Sequence, residues 1–181
     1  MKHIVSAFAL ASVAALVGCA QEETKATSAS NASPQTQQVA AIPEGLFLEE
    51  GPADAVTLAQ ARATAKPGEE IAFTGYIGGR AEPFTEGRAL FLVADSDEAP
   101  ACTDGCPKPW DACCIPSETV AANSATVQVL DGAGQALRMN LKGENDLAPG
   151  SRVTVIGKVR EANEAIFVVD ATGIRVDDHQ P

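Results

Sequence analysis

Apolar and polar residues alternate with a period of two in several short stretches after residue 70. In the first stretch, Ile71, Phe73 and Ile77 lie on one face of an extended chain. Thr74 and Tyr76 lie on the other face. Because successive side chains of a strand point to opposite sides of a sheet, this alternation predicts a β-strand with one face in a core.

Further strands are predicted by the same alternation and by the turn sequences between the stretches. They cover residues 88–95, 126–130, 135–141, 152–159, 165–170 and 173–176. One short helix is predicted before them, because Thr57 and Gln60 have the spacing of a capping box and Pro67 ends the Ala-rich segment. About five to seven short strands with little helix are typical of a small β-barrel or sandwich.

The order of these elements resembles the OB-fold, a five-stranded Greek-key barrel. The segments that carry the resemblance are residues 69–79, 129–141, 147–159 and 165–176. In that fold a glycine turn leads into the fourth strand, and a glycine within this strand, here Gly157, lets the barrel close. The resemblance covers about residues 70–177 and implies an all-β, OB-like barrel with one short N-terminal helix and a Cys-rich loop inserted at residues 96–124.

Residues 1–18 have the features of an export signal, since Lys2 precedes an apolar run that is shorter than the ~20 residues of a transmembrane helix. Residues 16–19, Leu-Val-Gly-Cys, resemble the lipobox of bacterial lipoproteins. This resemblance implies cleavage before Cys19 and attachment of lipid to its thiol, which anchors the chain to a membrane. An Asp after the lipobox cysteine favours inner-membrane retention in enteric lipoproteins, so Ala20 favours the outer membrane, facing the periplasm.

Residues 19–52 are predicted to be a disordered tether, because small polar residues and Ala dominate and no apolar period is present. The folded domain is predicted to cover residues 53–178. Its interruption at residues 96–124 contains every cysteine except Cys19.

The chain carries a net charge of −11, and removal of residues 1–18 takes away Lys2 and leaves −12. Such an acidic protein repels nucleic-acid phosphates, whose neutralisation supplies most non-specific affinity. One Trp, one Tyr and six Phe also offer few rings for stacking on bases. Nucleic acid is therefore not favoured as a partner, and an OB-fold nucleic-acid binder is kept only as an alternative that the fold resemblance implies. The expected partners are the membrane, through the lipid anchor, and an envelope protein or small ligand.

Lipidation of Cys19 leaves four of the five cysteines. Because an exported protein folds in an oxidising compartment, two disulfides are the favoured state of Cys102, Cys106, Cys113 and Cys114. A bond between the adjacent Cys113 and Cys114 closes a strained small ring. Each of Cys102 and Cys106 is therefore expected to pair with one of these two residues.

Four thiolates also suit zinc or copper, so a metal site formed by Cys102, Cys106, Cys113 and Cys114 is the alternative, although no cofactor is favoured. Only the Cys102–Cys106 spacing matches a standard zinc knuckle. Adjacent side chains of an extended segment point to opposite sides, so Cys113 and Cys114 can share an ion only in a tight turn. A switchable Cys113–Cys114 disulfide is a third hypothesis.

Residues 105–114, GCPKPWDACC, resemble a segment of exported proteins from planctomycete-like bacteria, a resemblance that implies no mechanism. Trp110 is expected to pack this loop against the barrel, with contact to a ligand as the alternative. The acidic residues around the loop, Asp95 among them, are expected to be solvated. The sequence contains neither a GxSxG elbow nor a phosphate-binding glycine loop. We therefore expect no catalytic residue and a non-enzymatic binding or structural module.

Overall fold

The computed structural model describes residues 41–103 and 105–179. The predicted signal peptide, the lipobox with Cys19 and most of the tether lie outside the described residues. The helices and strands are β1 (Val56–Thr57), α1 (Leu58–Thr64), β2 (Glu70–Ile77), β3 (Leu90–Ala94), α2 (Ser117–Ala122), β4 (Ser124–Gln128), β5 (Ser151–Ala162) and β6 (Phe167–His179). Within the described ranges, neither helix is long and apolar enough to cross a membrane.

Strands β2 to β6 form a closed barrel. Their order is β2-β3-β4-β6-β5, and β5 pairs back with β2. All of these neighbours are antiparallel except β4 and β6, which are parallel. This Greek-key order, with a parallel pair between the third and fifth barrel strands, is that of an OB-fold barrel. The OB-like barrel that the resemblance implies is therefore confirmed.

The apolar side chains of the barrel divide into two clusters. Phe73 and Ile77 lie in the main core, on the face of β2 that the sequence pattern predicts. Tyr76 lies on the opposite face of β2 and is only 4% exposed. It packs with Ala94 and Ala99 in a second, smaller cluster. The outer face of β2 is buried only at its end, where the loop that follows β3 covers Tyr76, while Thr74 on the same face is exposed.

Helix α1 begins with the predicted capping box. The Gln60 amide donates to Thr57 Oγ1 at 3.2 Å, and the Thr57 amide donates to Gln60 Oε1 at 3.3 Å. Leu58 and Ala61 of this helix belong to the main core. Arg62 Nη1 donates to the backbone oxygen of Ser124 at 2.6 Å, so the helix is bonded to the start of β4.

The folded domain begins earlier than the boundary predicted at residue 52. Leu46 is 2% exposed and belongs to the main core. The Ile174 amide donates to the Leu46 oxygen at 2.7 Å, and the Leu48 amide donates to the Ile174 oxygen at 2.9 Å. Residues 46–48 therefore lie beside β6 and are not part of a free tether. The interval lacks an apolar period, but one buried leucine and two backbone hydrogen bonds hold it in place.

Two further details differ from the sequence pattern. The strand predicted at residues 135–141 is reduced to an isolated bridge between Leu130 and Ala136. Next to this bridge, the Leu137 amide donates to the Val129 oxygen and the Leu137 oxygen accepts from the Ala89 amide. The Cys-rich insertion also contains a helix, α2. That helix has only six residues and buries only Val120, too little to produce a helical period in the sequence.

Gly157 lies at the seam where β5 meets β6. The register shifts between Ile156 and Gly157, as expected for a strand that bends to close a barrel. A Cβ at position 157 would overlap the oxygen of Asp170 and would lie 2.8 Å from Val169 Cγ1. The backbones of the two strands therefore approach so closely that only glycine fits.

We expect Gly157→Ala to destabilise the domain by about 3 kcal/mol, because the added methyl must push the two strands apart. The measurement is the free energy of unfolding in urea. Gly132→Ala is the matched control, since a Cβ at Gly132 meets nothing within 4 Å. Its effect should stay within about 0.5 kcal/mol. Equal stability of both variants would contradict this account of barrel closure.

Candidate functional site

The loop between β3 and β4 is attached to the barrel through Trp110. The indole Nε1 donates to the Ala81 oxygen at 3.1 Å, and the ring packs against the cluster that contains Tyr76. The backbone oxygen of Trp110 accepts from the Gly79 amide at 2.8 Å. A Cβ at Gly78 would lie 2.5 Å from that same oxygen, so glycine at the end of β2 allows the loop to approach.

Tyr76 provides a second attachment point for the loop. Its hydroxyl donates to the Ala99 oxygen at 2.7 Å. Burial raises the pKa of Tyr76 to about 12, and the nearby negative charges of Asp111 and Asp95 act in the same direction. The phenol is therefore neutral and hydrogen-bonded throughout the physiological range.

Asp95 organises the start of the loop, a role that the sequence did not reveal. The residue is 1% exposed rather than solvated. Its carboxylate accepts from the amides of Ala59 at 2.7 Å, Asp97 at 2.9 Å and Glu98 at 3.0 Å. The bonds to Asp97 and Glu98 form a local turn, which an Asp directly after a strand favours. The bond to Ala59 links the loop to α1 and depends on the tertiary fold.

The structure joins Cys102 and Cys114 in a disulfide. This bond is one of those expected from the sequence. Cys106 Sγ lies 3.2 Å from Cys113 Sγ, and a second disulfide between these two residues stays a prediction. Cys102 is buried, Cys106 is partly buried, and Cys113 and Cys114 are exposed. The four cysteines therefore extend from the interior of the loop to its surface.

Cys113 and Cys114 are the central residues of a tight turn. The Ile115 amide donates to the Ala112 oxygen at 2.9 Å and closes it. Ala112 enters the turn with φ of 52°, in the left-handed region that costs a non-glycine residue about 1–2 kcal/mol. The fold therefore holds a locally unfavourable conformation that brings the two adjacent sulfurs to one side.

A groove of about 510 Å³ lies between this loop and the barrel. One side is formed by Leu92 of β3 and Thr126 of β4, together with Gly79 and Ile166 from the connecting loops. The other side is formed by residues 111–117 and by α2. OB-folds bind their ligands on the face of the second and third strands and at the first and fourth connecting loops. The groove lies at the corresponding face of this barrel.

The lining of the groove is largely apolar. Ile166 is 45% exposed, which is unusual for a large apolar side chain in this domain. Asp111 and the Cys113 thiol side chain are polar groups on the opposite side. Among the described residues, no Lys, Arg or His lines the groove. Trp110 lies behind the loop in the Tyr76 cluster, so its ring packs the loop against the barrel.

No family model matches the chain, and no curated protein matches it. Among solved structures, the hypothetical protein YgiW from E. coli is similar with a TM-score of 0.37 and 14% identity, over 70% of this chain and 94% of that chain. The telomere capping protein Ten1 from Saccharomyces pombe has a TM-score of 0.33 and 12% identity, over 69% of this chain and 81% of that chain. A chain of the S. pombe Stn1–Ten1 complex has a TM-score of 0.33 and 12% identity, over 70% and 77% of the two chains.

The pKa of Tyr76 makes the stability of the domain sensitive to alkaline pH. The pKa is about 12 in the folded state against 10.0 for the free side chain, so the stabilising contribution is complete below pH 10 and is lost as pH rises towards 12. We expect a loss of about 2–3 kcal/mol across this window. Tyr76 is the only tyrosine, so ultraviolet absorbance of the phenolate reports on it alone.

Tyr76→Phe is the matched control for this titration. It should lower stability at neutral pH by about 1 kcal/mol, because the bond to Ala99 is lost. It should also remove the tyrosine contribution to the alkaline loss. A phenolate midpoint near pH 10 in the folded wild-type protein would contradict burial of this hydroxyl.

Proposed function

We propose that this chain is a lipid-anchored protein of the bacterial cell envelope that binds a ligand and has no catalytic role. The OB-fold barrel, with a groove on the face that such barrels use for ligands, supports a binding function. The lipobox at residues 16–19 supports export and attachment through Cys19. Ala20 supports the outer membrane as the site of anchoring.

The observation that carries the binding proposal is the character of the groove. Leu92, Ile115 and Ile166 give it apolar surface, and a cavity of about 510 Å³ is large enough for a small molecule or for side chains of a partner. Ile166 remains accessible although burial of such a side chain is worth about 1.5–3 kcal/mol. We therefore propose an uncharged, apolar ligand, either a small molecule or an apolar segment of an envelope protein.

The charge of the groove weighs against nucleic acid as the ligand. OB-folds that bind single strands combine a basic groove with stacking aromatic rings. Here the charged side chain of the groove is Asp111, and the whole chain carries −11. Trp110, the only tryptophan, contacts the barrel through Ala81 instead of lying across the groove.

A neutral solvatochromic dye such as Nile red tests the groove without knowledge of the natural ligand. We expect the oxidised wild-type protein to bind the dye, and Ile166→Glu to weaken binding at least tenfold because it places a charge at the apolar mouth. Val56→Glu is the matched control, since Val56, at 39%, is the other exposed large apolar residue among those that the structure describes. Fluorescence titration gives the affinity of each variant.

Equal loss of dye binding in Ile166→Glu and Val56→Glu would refute the groove as the binding site. Tight binding of a single-stranded oligonucleotide by the wild-type protein at about 0.15 M salt would instead favour the nucleic-acid alternative. Both titrations use the same preparation, so the two ligand classes are compared directly.

The anchor is tested separately, in cells of a bacterium that processes lipoproteins. We expect Cys19→Ala to block lipidation, so that the variant no longer partitions into detergent and no longer fractionates as a lipoprotein. The wild-type chain should label with radioactive palmitate and fractionate with outer membranes. Palmitate labelling of the Cys19→Ala variant would argue against Cys19 as the attachment site.

A further inference from the structure

The four cysteine sulfurs of the loop form one compact group. Cys106 Sγ and Cys113 Sγ are 3.2 Å apart, and all four sulfurs lie within 4.8 Å of one another. Cys102 Sγ is also 3.7 Å from Cys113 Sγ, although Cys102 is bonded to Cys114. Two independent disulfides require contact only within each pair. A metal ion bound by all four sulfurs requires, in addition, that the sulfurs of different pairs lie close together.

The spacing of the sulfurs matches thiolate ligands around one metal ion. Zinc–sulfur bonds of about 2.3 Å in a tetrahedron place neighbouring sulfurs about 3.8 Å apart. Apart from the bonded Cys102–Cys114 pair, the sulfur–sulfur distances in the loop, from 3.2 Å between Cys106 and Cys113 to at most 4.8 Å across the group, bracket this value. Reduction of the Cys102–Cys114 bond lets these two sulfurs separate to the same distance.

The backbone conformation allows the adjacent residues Cys113 and Cys114 to bind the same ion. Adjacent cysteines share an ion only in a tight turn, and Cys113 and Cys114 are the central residues of one. Its closing bond joins Ile115 to Ala112 at 2.9 Å. Ala112, the first residue of this turn, has φ of 52°, a conformation that is unfavourable for a residue other than glycine and that the fold maintains at a cost.

Two contacts restrict the loop near the remaining ligands, Cys102 and Cys106. The Cys102 amide donates to the Pro109 oxygen at 2.7 Å, which closes the segment that contains Cys106. Lys108, next in the loop, forms an ion pair with Glu82 at 2.6 Å, and its hydrogen bond and charge lower the pKa of that carboxyl. A site whose ligands are positioned by the surrounding structure binds metal without a large ordering cost.

We propose that Cys102, Cys106, Cys113 and Cys114, when the Cys102–Cys114 bond is reduced, bind one zinc ion as four thiolates. The loop then has two closed states, one held by disulfide bonds and one held by metal. The proposal concerns the sulfur group alone and stands independently of the ligand that the neighbouring groove binds.

The conversion between the two states balances with an external dithiol as the reductant. The dithiol gives two electrons and two protons to the Cys102–Cys114 bond and itself becomes a disulfide. If Cys106 and Cys113 are also oxidised, a second dithiol reduces them in the same way. The four thiols then release four protons to water when zinc binds, and the centre carries a net charge of −2.

Zinc is preferred over copper on geometry and charge. A tetrahedral group of four sulfurs is typical of zinc or of iron–sulfur sites, and an exported chain that folds outside the cytoplasm favours the simple ion. Monovalent copper would leave a charge of −3 on the centre. Asp111 lies in the same loop, and the chain already carries −11, so the smaller negative charge is favoured.

The experiment uses the full mature chain, residues 19–181, with Cys19→Ser so that only the four loop thiols remain. The protein is reduced with a dithiol, freed of reductant without air, and titrated with zinc against a chromophoric chelator. We expect one zinc per chain with Kd below about 10 nM. Close to four protons should be released, as measured with a pH indicator. Cobalt should give the intense visible bands of a tetrahedral thiolate site.

Cys106→Ser and Cys113→Ser should each weaken zinc binding by at least about 100-fold, because loss of a ligand exceeds the loss of a supporting hydrogen bond. Thr103→Ala is the matched control in the same loop, with an exposed side chain and no sulfur, and should leave affinity unchanged. Near-ultraviolet circular dichroism of Trp110 shows whether each variant is folded. The cobalt spectrum of the protein with all four loop thiols tests the site without any substitution in the loop.

Several results would overturn the proposal. These are the absence of stoichiometric zinc in the fully reduced folded protein, release of two protons or fewer, and loop disulfides that a dithiol cannot reduce without unfolding. Stoichiometric binding of monovalent copper with no zinc binding would also overturn it. Because dye binding to the groove is measured on the oxidised protein, failure of the zinc site and failure of the binding proposal are distinguishable.

Discussion

The pairing of β2 with β5 is the constraint on which the structure depends. Seven residue pairs, from Glu70 with Lys158 to Tyr76 with Arg152, turn an open sheet into a barrel and remove its free edges. Closure then requires the bend at Gly157 and fixes which faces of β3 and β4 point outward. The groove follows from this geometry, since its barrel side consists of those outward faces and the loops that connect the strands.

The loop between β3 and β4 packs on the outside of the closed barrel. Tyr76, Ala99 and Trp110 form a small apolar cluster beyond the main core, and the buried carboxylate of Asp95 bonds the start of the loop to α1. A long loop without regular structure normally loses order because its backbone has few partners. Here the indole, the phenol and the carboxylate give this loop fixed points, and the positions of the cysteines depend on them.

The sequence predicts the barrel well because alternation along each strand is a local property. It predicts the capping box at Thr57 for the same reason, and glycine in β5 indicates where the barrel closes. It fails for Asp95, which is locally as acidic and as turn-like as its neighbour Asp97. Asp95 differs from Asp97 in the tertiary fold, because the Ala59 amide of α1 donates to the Asp95 carboxylate. Leu46 was missed because its burial likewise depends on β6, distant in sequence.

The attachment of residues 46–48 beside β6 has a mechanical consequence. In a protein that is held by lipid at its N-terminus, tension in the preceding chain acts on the domain first at this segment. The buried side chain of Leu46 and the backbone bonds of Leu46 and Leu48 with Ile174 of β6 resist that pull. Under the proposed anchoring at Cys19, this segment therefore shields the groove and the four loop cysteines from tension in the preceding chain.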